Sequence, residues 1–519
     1  MPSWDSEPPG LSSKAPNASP NRFQISGRCS IHLARPTPDP KLLLTFLALA
    51  IVLRGISAEA ASWDLIQAQF LGKASQAADG IGVEVVALPS GQVHWSHRAL
   101  EPMIPASLLK IATSYTALKT LGPNHRFRTA LHAAAAPQGG TLSSDIWLKS
   151  EGDIFWTVDR AAILASRLRA KGVETVRGRV LVDNSYFSPP SERVCLDDRC
   201  VDSYNPSISG SAIEFNTVVL RVSPSASVGR PPLVEWLPRG RFVQIINEAK
   251  TAPKKDKSTF GMQLLEPDPQ GNMRFRLSGR LPASPAAVVE KRYSVANPSA
   301  FLAAVFTSLL EGSGIRVEPG AAGAVSPKVV PAEAKVLAED LSPTLAETIH
   351  GLNRHSNNFM AEMLLRSLGA SALGPPGTEA KGIAVVNKVL QSLGATTAAC
   401  VLKSGSGLSR ECRMSPRALS RILVSAYSDP ISGPAFMESL AVNGEEGTLR
   451  RRLSRSAVTI RGKTGTLRDV VGFAGYVSSP DRPSYGVVIL LNGVRDLRIA
   501  KEAVDSFLEN LALSGPSPT

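Results

Sequence analysis

Ser107 and Lys110 stand three residues apart at the head of the apolar run "IPASLLKIATSYTAL", residues 104 to 118. Positions i and i+3 share a helix face, so the hydroxyl and the amine point the same way within one turn. A serine becomes a strong nucleophile when a neighbouring base takes its proton, and a lysine can be that base only when neutral. Burial beside another cation pushes a lysine toward neutrality. The plain alternative is a Ser107 that caps a core helix and a Lys110 that snorkels outward, which is what an isolated Ser-x-x-Lys more often means.

Two further motifs follow in order. Ser356-Asn357-Asn358 precedes a predicted helix, and Lys463-Thr464-Gly465 ends a predicted strand. Each alone is cheap: Ser-x-Asn also occurs at Ser19 to Asn21, Ser356 could be a helix N-cap, and Lys463 to Gly465 could be a strand end and turn. In sequence with "PASLLK" they form the three-motif set of penicillin-binding proteins and β-lactamases. The strings "LSPTLAETIHGLNRHSNNFMAEMLLRSLG", "SGSGLSRECRMSP" and "GKTGTLRDVVGFAGYV" sharpen the match. The chain resembles the D-alanyl-D-alanine carboxypeptidase/endopeptidase family of low-molecular-mass penicillin-binding proteins, the class C type with large inserted domains. The step of 246 residues from Lys110 to Ser356 fits that type.

The resemblance implies an α+β, β-lactamase-like serine transpeptidase fold, an antiparallel sheet flanked by helices, that works without metal or cofactor. It implies that Ser107 attacks the penultimate D-Ala carbonyl of a peptidoglycan stem peptide with Lys110 as base, and that β-lactam antibiotics acylate the same serine. Ser356 would relay a proton to the departing D-alanine and Asn358 would hold the substrate amide. Lys463 would place a second charge near Lys110 and, with Thr464, bind the terminal carboxylate. Gly465 would let the substrate backbone lie against the strand. The backbone N–H groups of Ser107 and Thr466 would form the oxyanion hole. Two departures stand out: Ser404 replaces the aspartate usual before Gly405-Ser406-Gly407, and Ile154 follows Gly152-Asp153 where proline is usual.

Two other readings compete with this one. A β-lactamase-type hydrolase shares the fold, but no Glu-x-x-Leu-Asn string is present and the large insert is foreign to it. A non-catalytic wall-binding scaffold is disfavoured because every residue type the chemistry needs is in place. His355, next to Ser356, does not make a Ser-His-Asp triad, because no Gly-x-Ser-x-Gly elbow occurs.

The remaining chain must position these groups. Its 519 residues, 43% hydrophobic, can bury a large core. Residues 1–60 read as a leader, with Arg35 and Lys41 ahead of the apolar run "LLLTFLALAIVL" and a cleavage site after Ala60. That run falls short of the roughly 20 apolar residues of a comfortable span, so export with cleavage is expected, to the periplasm or the outer face of the cytoplasmic membrane. An uncleaved anchor is the alternative.

The catalytic segments are read as 61–125 and 336–513, separated by inserted β-rich material at 126–335 and followed by a tail, 514–519. Helices are expected over "PSAFLAAVFTSLLEGSGI", ending at Gly312, and at the C-terminus, where Val504, Phe507, Leu508 and Leu511 make one stripe. "AVTIRGKTGT", "VVGFAGYVSS" and "SYGVVILLNG" read as an antiparallel meander.

The leader carries six basic and four acidic residues, which leaves +11 of the net +13 on the rest. A basic surface suits an anionic partner, either wall polymer or a peripheral membrane contact. No basic stripe interleaved with aromatics argues for nucleic acid. Beyond Cys29 the cysteines are 195, 200, 400 and 412. "CLDDRC" could close a small disulfide loop, and core thiols are the equal alternative; no histidine stands at zinc-ligand spacing from either pair.

Overall fold

Val- and Ile-rich runs from both ends of the chain close into one sheet. In the computed structural model these are β1 (Gly80–Ala87), β2 (Val93–His97), β3 (Ala441–Val442), β4 (Thr459–Leu467), β5 (Val470–Ser479) and β6 (Arg482–Asn492). Their order is β3-β4-β5-β6-β1-β2, with every neighbouring pair antiparallel. The predicted meander is β4-β5-β6, and β1 and β2 pair as a hairpin. β1 is buried at seven consecutive positions, so its sequence runs apolar instead of alternating: both faces of the sheet are covered.

The structure describes residues 62–514 except 190–194, 196–199, 270, 319–328, 396–399, 455, 457, 480 and 481. The leader and its cleavage site lie outside the described residues. The chain divides into Met1–Leu65 and Ile66–Thr519, and of the first only residues 62–65, the opening turn of a helix, are described.

Among the described residues the helices are α1 (62–77), α2 (Leu109–Leu121), α3 (Val158–Ala170), α4 (Pro298–Gly312), α5 (Leu345–Arg354), α6 (Asn358–Leu373), α7 (Glu379–Ser392), α8 (Pro416–Tyr427), α9 (Gly433–Ser439) and α10 (Leu497–Ser514). The α10 stripe of Val504, Phe507, Leu508 and Leu511 is buried, and the helix packs on β5 and β6 as its pattern required. The 5.0 Å contact of Phe507 with Phe70 joins it to α1. On the opposite face α8 packs on β1 and β6, and α2 is wrapped by α5, α6, α7, α8 and α9. Ten consecutive residues of α2, Leu109 to Leu118, are buried. None of the described helices is long and apolar enough to cross a membrane.

Helix starts follow local chemistry. Thr344 and Glu347 make a reciprocal capping box at α5, Asn297 caps α4 ahead of Pro298, and Ser415 caps α8 ahead of Pro416. Helix α4 ends at Gly312 as expected.

Residues 126–335 hold short strands, and the strand that follows, 335–341, pairs with one of them. Strands 335–341, 128–133, 146–150 and 180–183 form a four-stranded sheet; 289–294, 217–223 and 233–237 form a second; 243–247, 273–278 and 261–265 a third. A core of Leu131, Leu148, Trp156, Leu164, Val182, Phe275 and Phe306 sits among them. The stretch "GRVLVDNSYF" is a strand only to Asp183, because that carboxylate accepts the Ser185 N–H at 2.7 Å and turns the chain. Cys195 and Cys200 are joined in a disulfide, whereas Cys400 and Cys412 remain thiols.

Candidate active site

Ser107 lies in a 3-10 turn, Ala106–Leu108, and α2 begins one residue later. Neither start carries a side-chain cap, so the capping alternative is not realised. Nor does Lys110 snorkel. It is fully buried, and its Nζ donates to Ser107 Oγ at 3.0 Å, to Asn358 Oδ1 at 2.7 Å and to the Ser406 carbonyl at 2.8 Å. Three acceptors match the three protons of an ammonium, and a neutral amine, with two protons, could accept the serine's.

Asn357, not Ser356, caps α6, with Oδ1 accepting the Met360 N–H at 3.0 Å. That leaves Asn358, the first residue of the helix, to bridge. Its Oδ1 takes Lys110 and its Nδ2 donates to the Tyr204 carbonyl at 2.8 Å. Ser356 sits two residues ahead in a left-handed conformation, φ +57°. Ala106, just before the nucleophile candidate, is also left-handed at φ +48°. Such backbone costs of order 1 kcal/mol or more per residue and persists only where the surroundings enforce it. No hydrogen bond joins Ser356 to Ser107 or Lys110 among the described residues.

Strand β4 delivers Lys463, fully buried, with Nζ donating to the Thr464 carbonyl at 2.7 Å. Thr464 is buried and Thr466 exposed. A Cβ on Gly465 would meet the Pro105 carbonyl at 3.1 Å and the Ala106 Cβ at 3.3 Å. The glycine therefore lets the strand pack on the turn that carries Ser107, a reason internal to the fold that the motif did not reveal. β3 pairs with β4 only at Arg461 and Gly462, so from Lys463 onward no described strand occupies that edge.

Burial pulls the Lys110 amine down to about 7, and the nearby Glu362 carboxylate opposes that. Lys463 is pushed well below the ordinary lysine range by burial and by the Lys110 charge. Burial is the largest influence on both amines, and the two positive charges disfavour one another.

Two contacts have no counterpart among the sequence expectations, those of Glu362 and of the Tyr204 carbonyl. Glu362 Oε1 accepts the N–H groups of Gly405 and Ser406 at 3.1 and 2.9 Å, tying down the loop whose carbonyl receives Lys110. Its signal was present: Glu362 is four residues after Asn358 on one helix face. Ser404, the departure from the usual aspartate, accepts the Gly407 N–H at 3.0 Å within the same loop. The Tyr204 carbonyl comes from the β-rich segment 126–335 and had no signal, because a backbone acceptor 154 residues from its partner leaves none. His355 pairs with Glu446 at 3.3 Å, away from these contacts. No cluster of metal-ligating side chains occurs among the described residues.

The architecture is that of the penicillin-binding proteins: the chain superposes on penicillin binding protein 4 from Haemophilus influenzae with TM-score 0.70 at 21% identity, over 85% of this chain and 98% of that one. It is 33% identical over 418 residues to the D-alanyl-D-alanine carboxypeptidase of an Actinomadura species, covering 77% of this chain and 75% of the relative. To the D-alanyl-D-alanine carboxypeptidase DacB of Haemophilus influenzae it is 23% identical over 398 residues, or 75% and 81%. Residues 68–511 match the model of the D-Ala-D-Ala carboxypeptidase 3 (S13) family, and the chain belongs to that family. It is a serine-type D-Ala-D-Ala carboxypeptidase, which sets aside the β-lactamase-type and scaffold readings.

Proposed function

We propose that this carboxypeptidase acts through an acyl-enzyme on Ser107, with Lys110 as the general base. The observation that carries the reading is the 3.0 Å contact between a fully buried amine, lowered to about 7, and the serine hydroxyl. Neutral Lys110 takes the hydroxyl proton as Oγ attacks the penultimate D-Ala carbonyl. The oxyanion is held by the N–H groups of Ser107 and Thr466; losing one such donor typically costs roughly 3–4 kcal/mol of barrier. The C–N bond then breaks, the D-alanine amine receives a proton through Ser356, and water releases the acyl group.

The substrate adds as a strand along the open edge of β4, with Asn358 on its amide and Lys463 and Thr464 on its terminal carboxylate. That carboxylate favours the protonated form of Lys463, whose charge in turn favours neutral Lys110. β-Lactams, which the Haemophilus influenzae protein binds in a second structure, occupy the same place. Cleavage of peptide crosslinks follows from the same chemistry when the leaving amine belongs to a neighbouring stem.

Export of the mature chain to the cell-wall compartment supplies that substrate. We further read 126–335 as an insert between the catalytic segments 61–125 and 336–513, supported by its own apolar core. A peripheral contact with anionic membrane is supported by one end of that insert. There Arg230, Lys250, Lys254, Lys255, Lys257 and Arg280 are all exposed beside Val228, and Asp256, paired with Arg280, is the neighbouring acid.

The deciding experiment is an intact mass after incubation with penicillin, with the adduct mapped by digestion. One adduct on Ser107, absent from folded Ser107→Ala and Lys110→Ala, is expected; an unmodified wild-type protein would sink the mechanism. D-alanine release and crosslink cleavage are then compared on stem peptides and crosslinked dimers.

A further inference from the structure

We propose that Glu362 is a positioning residue for this reaction: it fixes the loop on which Lys110 rests and supplies the counter-charge that sets the pH range in which Lys110 works as base. The inference rests on the reading of Lys110 above.

Ser406 stands between the two groups. Its N–H donates to Glu362 Oε1 at 2.9 Å, and its carbonyl accepts from Lys110 Nζ at 2.8 Å. The carboxylate thus faces the positive end of this residue's backbone and the amine its negative end, so both charges hold the loop in one place. Gly405 adds a second N–H to the same Oε1 at 3.1 Å, and Oε2 lies 3.2 Å from that N–H. Loop position matters because Gly407, at φ +81°, presses on the nucleophile turn so closely that a Cβ there would lie 1.8 Å from the Ala106 carbonyl. One face of α6 therefore supports Lys110 twice, directly through Asn358 Oδ1 and indirectly through Glu362.

The charges around Lys110 are few. Lys463 approaches from β4 and Glu362 from α6. Glu362 in turn faces Arg366 at 3.4 Å on its own helix, and Arg366 is shared with Glu379 of α7 at 3.5 Å. The Cys412 thiol, pushed up chiefly by burial, also feels Glu362. Two fully buried amines with no acid beside them would both be driven neutral; Glu362 holds a proton in the site and keeps Lys110 titrating near neutrality.

The signs follow directly. Taking away the Glu362 charge makes Lys110 lose its proton at lower pH. Taking away the Arg366 charge strengthens the hold of Glu362 and moves the loss to higher pH. Glu362→Gln keeps an Oε1 able to accept both loop N–H groups, so it separates charge from support.

The test is the second-order rate of penicillin acylation of the full chain, measured from pH 5.5 to 9 for wild type, Glu362→Gln and Arg366→Met. For Glu362→Gln the acidic limb should move down, raising the ratio of the pH 6 rate to the pH 8 rate roughly threefold or more. For Arg366→Met the limb should move up, and this variant decides the matter if the first does not fold. Equal loss at all pH values, or a limb that stays or moves against these signs, would overturn the inference. A wild-type protein that is not acylated on Ser107 at any pH would instead remove the reading beneath it.

Discussion

In its proposed role as base, Lys110 is held buried at a cost to the fold, and the sign of that cost is measurable. Its amine titrates about 7 in the folded chain against an ordinary value of 10.5. Between those values the unfolded chain holds a proton that the folded chain lacks, so this group makes stability rise with pH across the window. Below about 7 the amine is charged in both states and the penalty is complete. Lys110→Met should therefore abolish acylation and raise the melting temperature at pH 6. The gain, at most on the order of 5 kcal/mol before the lost hydrogen bonds are subtracted, should shrink toward pH 10. Thermal melts across pH check this; a variant less stable than wild type at pH 6 would show that the three hydrogen bonds of Nζ outweigh its burial.

At the scale of elements, three pieces of backbone are locked around the serine: the turn Ala106–Leu108, strand β4 and the loop Ser404–Gly407. The strand and the loop each meet the turn through a glycine. Gly465 admits the Pro105 carbonyl, and Gly407 admits the Ala106 carbonyl. Gly407→Ala combines a left-handed φ of +81° with a contact that real structures do not tolerate. It should destabilise the protein by at least about 2–3 kcal/mol and slow acylation further than that loss explains, because the 404–407 loop must retreat and take the Lys110 acceptor with it. Chemical denaturation and acylation rates on the folded variant read the two effects separately; unchanged acylation would show that the loop is not coupled to the base.

For the whole molecule, the segment 126–335 contributes a contact to Asn358 and carries an exposed basic patch. Tyr204 reaches Asn358 from it, and its basic end presents six exposed cations beside Val228. Co-sedimentation with vesicles containing phosphatidylglycerol should retain a chain of residues 61–519, lose it at high salt, and lose it for the triple variant Lys254→Glu, Lys255→Glu, Lys257→Glu, each cation near the surface contributing about 1 kcal/mol. Equal binding to neutral vesicles, or an unaffected triple variant, would remove the membrane proposal while leaving the catalytic one untouched.

The meander β4-β5-β6, the C-terminal helix stripe, the end of α4 at Gly312 and the three motifs were all legible in the sequence, because each depends on periodicity or on residues a few positions apart. What tertiary structure alone decided is how Ser107, Lys110, Asn358, Glu362, Ser406 and Lys463 converge. Lys110 could have snorkelled; it is buried because α5 to α9 enclose α2. Ser356 could have capped α6; Asn357 took that place. Burial, which sets the charge of Lys110, is a property of everything packed around a residue and is written in no short stretch of sequence.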